Sequence, residues 1–415
     1  MSAIVAVLGV TSGLVGGLLV ILLHAVQHIA FGYSEGLFLY GSEQAPPWRR
    51  LVCLLAAGLI AGVGWWAVYR WFKPLVSIGA ALGREDTDGR RMPFWPTVVH
   101  GLLQIVTVAL GSPLGREVAP REISAAVADR ITASVGILGH PRRVLIASSA
   151  GAGLAAVYGV PLGGAIFTLE VLLVSFAWSC VIPALACSAI AAGVAAAIVP
   201  DDLQYTVGHT PVTASVWFWA VVFGPLCGLA AWGFRWFTRR CAASAPRDWH
   251  LIPRAFAAFT TIGAISMLLP EILGNGKAAA QVGFDHSVGF WMLLALLAAR
   301  VIAVGLALLG GGQGGLLTPS IANGSLLGAL VGTLWSGLNP GTVITTYALI
   351  GAAAFLAAAQ RMPATAIVLV FELTRTDAAL LGPAMLAAAG AAAIERAIDR
   401  SPRAARLTSG QTGSG

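Results

Sequence analysis

One carboxylate stands where a membrane protein rarely places a charge. Glu117 follows the apolar run 105–110 and a Gly-Ser-Pro-Leu-Gly break. An ionisable group near membrane depth is costly, so a chain that keeps one there generally uses it. Ionised, a carboxylate competes with an anion for the same N–H donors. Protonated, it loses that attraction and swings away, so it can gate a path and carry a proton. Arg116 beside it either stabilises the charge or anchors the loop. A second reading stays open, in which Glu117 pairs with Arg116 or Arg121 near the water interface. Glu170 and Glu372 each close a short apolar stretch, and their matched positions suggest one structural job, capping or salt-bridging a neighbouring turn. Arg300 and Arg361 read as holders of loops or carbonyls. The seven His show no metal-ligand spacing, and no G-x-S-x-G is present. The Gly cluster 310–315 lacks the Lys-Ser/Thr of a phosphate-binding loop. With no catalytic pair at membrane depth, the chain is read as a non-enzyme without metal or cofactor.

The elements that hold these residues come in two sets. The segment 155–171, AAVYGVPLGGAIFTLEV, aligns without a gap on 357–373, AAAQRMPATAIVLVFEL, at an offset of 202 residues. Pro161 meets Pro363 and Glu170 meets Glu372. Upstream of each lies a Gly-rich break, GSPLGREVAP (111–120, with Gly111 and Gly115) and GGGQGGLLTP (310–319, with Gly314 and Pro319). Two related halves follow, 1–205 and 206–400, with a polar tail at 401–415. Related halves with interrupted apolar segments place a transport site between them. A helix broken inside the membrane exposes unpaired N–H groups at its N-terminus, and these attract an anion. Gly-rich breaks also serve close helix packing. The sequence alone leaves parallel and inverted repeats open.

Composition sets the solvent. Apolar types make up 57% of the 415 residues and charged types 10%, with a mean hydropathy of +0.82. A soluble domain carries about 25% charged residues. Segments 3–23, 51–69, 177–199, 215–234 and 289–310 are each long enough to cross the bilayer, while 345–359 and 363–374 are too short. The first is expected to be a retained membrane helix rather than a cleaved signal. The net charge of +7 sits at segment ends, as at Arg49–Arg50, Arg142–Arg143 and Arg239–Arg240. Topology and lipid headgroups account for that pattern, so nucleic acid is not expected as a partner. The five Cys read as small packing residues. The fold class is therefore an all-α polytopic membrane protein with two related halves, set in a lipid bilayer.

At these motifs the sequence resembles the CLC family of chloride channels and proton-coupled chloride antiporters. GREVAP resembles the family's G-[KR]-E-G-P, GGLLTPSIANGSLLG (314–328) its G-x-F-x-P helix, and VPLGGAIFTLEV its PLAG-x-x-F-x-x-E helix. GAAAFLAAAQRMPATAIVLVFELT (351–374) matches the corresponding late helix. The resemblance implies an inverted repeat, broken helices meeting near the bilayer centre, and a homodimer with one pathway per subunit in the plasma membrane. It implies Glu117 as the external gate. It implies anion contacts at Arg116, Val118, Ala119, Gly315, Leu316 and Leu317, with Gly314 and Pro319 shaping the second break.

The departures from the family pattern are specific. Where the family has G-S-G-I-P-E, this chain reads RWFKPLVSIGAAL (70–82). Aligning the trailing Ala-Ala-Leu places Lys73 near the family serine, with Ser77 four residues later. Lys73 or Ser77 is left for the central site, unless Lys73 simply marks the cytoplasmic end of the helix. The family's late tyrosine falls at Ala404, and the inner proton-transfer glutamate falls at Val171, beside Glu170. GREVAP puts Val-Ala-Pro after the glutamate. The expected function is chloride transport gated by Glu117, passive or loosely proton-coupled because of Val171. Strict chloride/proton antiport, with water or Glu122 as relay, and transport of another anion such as fluoride are the alternatives. Nucleotide regulation through a cytoplasmic domain pair is not expected.

Overall fold

A computed structural model describes residues 2–33, 38–83, 89–199, 204–208, 210–339 and 343–400. The tail 401–415, with Ala404, lies outside the described residues, as do 84–88 and 200–203 within two of the polar loops. The first half runs through α1 (Ser2–Phe31), α2 (Phe38–Gln44), α3 (Pro47–Trp71), α4 (Ile78–Leu82), α5 (Phe94–Ala109), α6 (Val118–Ser134), α7 (Gly139–Tyr158), α8 (Pro161–Phe167) and α9 (Trp178–Ile198). The second runs through α10 (Ala214–Ala243), α11 (Leu251–Ser266), α12 (Lys277–Asp285), α13 (Phe290–Leu309), α14 (Leu317–Ser336), α15 (Ile344–Gln360), α16 (Pro363–Thr374) and α17 (Leu381–Asp399).

The main elements of the two halves match. α1 and α10 are both 30 residues long. In the first half α1 packs on α7 and α9, α5 on α6, and α6 on α7; in the second α10 packs on α15 and α17, α13 on α14, and α14 on α15. The turns match too: left-handed residues Gly159 and Arg361 end α7 and α15, and Pro161 and Pro363 open the next helices. Proline fits a first helical turn because its missing N–H has no partner to lose there. The two halves are inverted. α3 ends beside Arg70 and Lys73, and α10 ends at Arg239 and Arg240, so both reach one basic face. α3 returns the chain to that face, so α1 starts there, whereas its counterpart α10 finishes there.

Seven of the described helices are long and apolar enough to span a bilayer. Five lie on the segments expected from the sequence; the others are Leu317–Ser336 and Ala378–Asp399. α14 escapes a hydropathy reading because Ser320, Asn323 and Ser325 lower its mean hydropathy to 1.2, and 78% of its apolar window is buried among other helices rather than in lipid. α17 escapes because it is rich in alanine. Small residues let the helices approach closely: a Cβ on Gly324 or Gly328 would meet the α15 backbone. All five cysteines are free thiols, four of them buried.

Candidate anion pathway

The candidate site is built by two breaks that turn the same way. α5 stops at Ala109 and α13 at Leu309. Gly111 (φ +107°) and Gly311 (φ +77°) then take backbone conformations that side chains rarely adopt. Ser112 N–H donates to Thr107 O at 3.0 Å, and Gly312 N–H donates to Ala307 O at 2.9 Å. The two segments meet in a short antiparallel bridge: Gly115 N–H donates to Gly315 O at 2.7 Å and Gly315 N–H to Gly115 O at 2.9 Å. α6 and α14 start directly beyond it, each with proline as its third residue, Pro120 and Pro319. Arg300 locks the assembly from behind, donating to Ile272 O (2.6 Å), Gly274 O (3.0 Å) and Pro113 O (3.2 Å). It holds carbonyls, as its position in the sequence suggested.

Glu117 closes this junction. It is 1% exposed, and its Oε1 accepts from Leu317 N–H, the first residue of α14, at 2.8 Å. Its Oε2 accepts from Tyr158 Oη at 3.1 Å and Thr318 Oγ1 at 3.3 Å, and those two hydroxyls lie 2.8 Å apart. Glycine at 115 and 315 leaves room for this seat, because a Cβ on either would overlap the seated carboxylate. No ion pair joins Glu117 to Arg116 or Arg121 among the described residues, so the interfacial salt-bridge reading does not describe this site. A carboxylate thus occupies the N-terminus of a helix, in the place an anion would take.

The remaining residues singled out in the sequence divide. Leu316 precedes α14, and Leu317 gives its N–H to Glu117. Gly315 is corrected as an N–H donor to an anion, because the bridge to Gly115 consumes that N–H. Val118 and Ala119 open α6, where helix geometry leaves their N–H groups without intrahelical partners. Arg116 turns away from Glu117: its guanidinium donates to Val157 O (3.4 Å) and Gln204 Oε1 (3.3 Å) and lies over the Tyr158 ring at 5.1 Å. It lines a cavity of about 260 Å³ with His24, His28, Tyr158, Lys277 and Gln281. Gly314 packs on Leu114 and Gly115. Ser77, not Lys73, is the N-cap of α4, accepting from Ala80 N–H at 3.2 Å; Lys73 is exposed in the extended connection before it.

Glu170 and Glu372 cap across the halves. Glu372 accepts from Leu162 N–H (3.0 Å) and Gly163 N–H (2.6 Å) at the start of α8. Glu170 accepts from Ala364 N–H (3.0 Å) and Thr365 N–H (2.7 Å) at the start of α16. Each half therefore supplies the other's N-terminal acceptor. Arg361 pairs with Glu395 and Asp399 of α17.

Two groups of functional interest went unread in the sequence. Tyr158 and Thr318 were unmarked, although a lone tyrosine ending an Ala/Gly helix and a threonine before Pro319 are polar groups aimed at a break. The other is a buried polar stripe on α5: Thr97, His100, Gln104 and Thr107. Trp65 Nε1 donates to His100 Nδ1 at 3.0 Å, which leaves the neutral ring's proton on Nε2, 3.5 Å from Glu122 Oε2. Gln104 Nε2 stands 3.5 Å from the same oxygen.

Inverted halves, paired re-entrant breaks and a carboxylate buried on a helix N-terminus define a polytopic membrane transport protein. The chain belongs to the voltage gated chloride channel family, whose model matches residues 57–396. It is 28% identical over 392 residues to a putative chloride channel protein ClcB-like of Ralstonia nicotianae, covering 88% of this chain and 86% of that protein. It is 27% identical over 416 residues to the H(+)/Cl(-) exchange transporter ClcA of Vibrio campbellii, covering 96% and 86%. In fold it is similar to a slow cyanobacterial Cl-/H+ antiporter (TM-score 0.83, 19% identity, 99% of this chain and 98% of the other). It is also similar to a CLC-type fluoride/proton antiporter (TM-score 0.69, 19% identity, 95% of each chain). The protein is a multi-pass membrane anion transporter or channel, not an enzyme.

Proposed function

We propose that the chain conducts chloride through the junction of α6 and α14 with Glu117 as its gate. The observation that carries this is the Glu117 carboxylate seated on Leu317 N–H, where one half's break meets the other's helix N-terminus. The basic face faces the cytoplasm in the usual topology. The cavity lined by Arg116, His24 and Lys277 lies toward the opposite face, where α1 ends, which makes Glu117 an external gate. Arg116 and Lys277 concentrate anions at that mouth. Val118, Ala119, Leu316 and Leu317 offer backbone donors once the carboxylate leaves, and Ser77 offers one hydroxyl on the inner side. The protein works as a homodimer in the plasma membrane, one pathway per subunit.

Conduction is passive or loosely coupled to protons, because Val171 follows Glu170 where an inner carboxylate would receive them. One observation favours the stricter antiport reading: the Glu122–His100 pair on the α5 stripe, which leads along that helix toward the break at Gly111. Simultaneous chloride and pH recording from liposomes separates the two. Chloride efflux without stoichiometric proton uptake supports loose coupling, and robust proton uptake driven by a chloride gradient overturns it. An anion series in the same assay, with fluoride included, tests the substrate.

A further inference from the structure

Arg121 lies four residues after Glu117 on α6, so the two share one face of the helix, about 6 Å apart along its axis. An acid followed four residues later by a base ordinarily forms a pair. Here it does not. Glu117 turns to Leu317, Tyr158 and Thr318. The other acidic neighbour, Glu122, faces His100 and Gln104. Both carboxylates remain within electrostatic reach of Arg121, as does the Tyr158 hydroxyl, yet neither carboxylate bonds to it. The guanidinium stacks on the Phe167 ring of α8, 4.3 Å from its centroid, and its Nε is fully buried without a partner. The residue as a whole is half-buried.

A cation held inside a protein without a hydrogen-bonding counter-ion is costly. Phe167 covers one face of the guanidinium and satisfies part of its charge. It leaves the Nε–H without a partner, and guanidinium N–H groups are the ones that recognise anions. The position is one helical turn inward from the gate, on the gate's own helix face.

We propose that Arg121 is an anion ligand of the pathway, a fixed guanidinium site inward of Glu117 that holds a monovalent inorganic anion, chloride on the reading above. The inference rests on that reading of the pathway. It adds a charged side-chain ligand inward of the gate, where the path otherwise offers backbone donors and the Ser77 hydroxyl. An anion at Arg121 and the Glu117 carboxylate repel each other, so a bound anion favours release of the gate.

The test is isothermal titration of chloride into the purified full-length protein in detergent. Arg121→Gln weakens chloride binding by about tenfold or more, the effect of removing a charge-assisted donor. Arg121→Lys, which keeps the charge but loses the planar fork and the stacking on Phe167, falls between wild type and the Gln variant. Wild-type affinity in the Gln variant overturns the proposal, as does equal weakening in the Lys variant. A second measurement needs no variant: saturating chloride slows modification of Arg121 by phenylglyoxal, followed by peptide mass spectrometry, relative to gluconate. Equal rates overturn the proposal. Failure of wild type to bind or move chloride rejects the chloride pathway as a whole. Chloride binding in wild type that Arg121→Gln leaves untouched rejects only the role of Arg121.

Discussion

Tyr158→Phe loosens the Glu117 carboxylate in its seat, and on the proposed gating role the size of the effect follows from a proton count. Glu117 Oε2, Tyr158 Oη and Thr318 Oγ1 form a triangle with sides of 3.1, 2.8 and 3.3 Å. With Glu117 ionised, the two hydroxyls bring only two protons to three contacts, so one contact always lacks a hydrogen. A hydrogen bond to a charged group contributes about 1.5–3 kcal/mol. Tyr158→Phe removes one such donor but keeps the ring under Arg116. Thr318, no longer sharing its proton with Tyr158, then gives it wholly to Glu117. The net loss is about 1 kcal/mol, or about a fivefold rise in the ratio of released to seated gate. Tyr158→Phe with Thr318→Val leaves only the Leu317 N–H, and the expected rise reaches about 30-fold or more. The assay is chloride efflux from liposomes at fixed pH, with Glu117→Ala as the fully released reference. The single variant lies slightly above wild type and the double approaches the reference. If both match wild type while Glu117→Ala is faster, the hydroxyls do not hold the gate and the reasoning is wrong.

Three further outcomes follow from the site. Glu122→Gln removes the only carboxylate facing His100 Nε2 among the described residues; if that pair relays protons, proton uptake in liposomes stops while chloride efflux continues, and unchanged proton uptake removes Glu122 from the path. Glu372→Gln and Glu170→Gln each weaken two backbone caps, costing about 1–2 kcal/mol apiece, seen as a lower thermal midpoint in detergent; a variant as stable as wild type shows that its cap carries no stability. Gly315→Ala places a methyl against the Glu117 carboxylate and unseats it, so efflux becomes insensitive to a second substitution, Glu117→Ala; a large further change on adding that substitution contradicts the seat.

Some of this architecture was legible in the sequence because it is written in local patterns. Apolar length marked α1, α3, α9, α10 and α13, and Gly-rich breaks at a regular offset marked the two junctions. Glu117 was legible because a carboxylate beyond an apolar run is rare. Partnerships between the halves were not legible. Glu170 and Glu372 announce a shared task, but nothing local says that each caps the other half's helix. The Gly115–Gly315 bridge joins residues 200 apart and consumes the N–H that the motif seemed to offer an anion. Lys73 aligned with the family serine by a trailing Ala-Ala-Leu, yet the N-cap fell to Ser77, because a hydroxyl can accept from Ala80 N–H and an ammonium cannot. Tyr158 and Thr318 sit at helix ends, where a single polar side chain leaves no periodic signal.

The central claim is that a carboxylate and an anion compete for one helix N-terminus. Chloride efflux from liposomes holding wild type or Glu117→Ala, measured across pH with protons recorded in parallel, tests it most directly. The account predicts that wild-type efflux rises as pH falls, because protonation releases the carboxylate from Leu317. It predicts that Glu117→Ala is fast, indifferent to pH and moves no protons. Efflux from Glu117→Ala with the same pH response as wild type would contradict it.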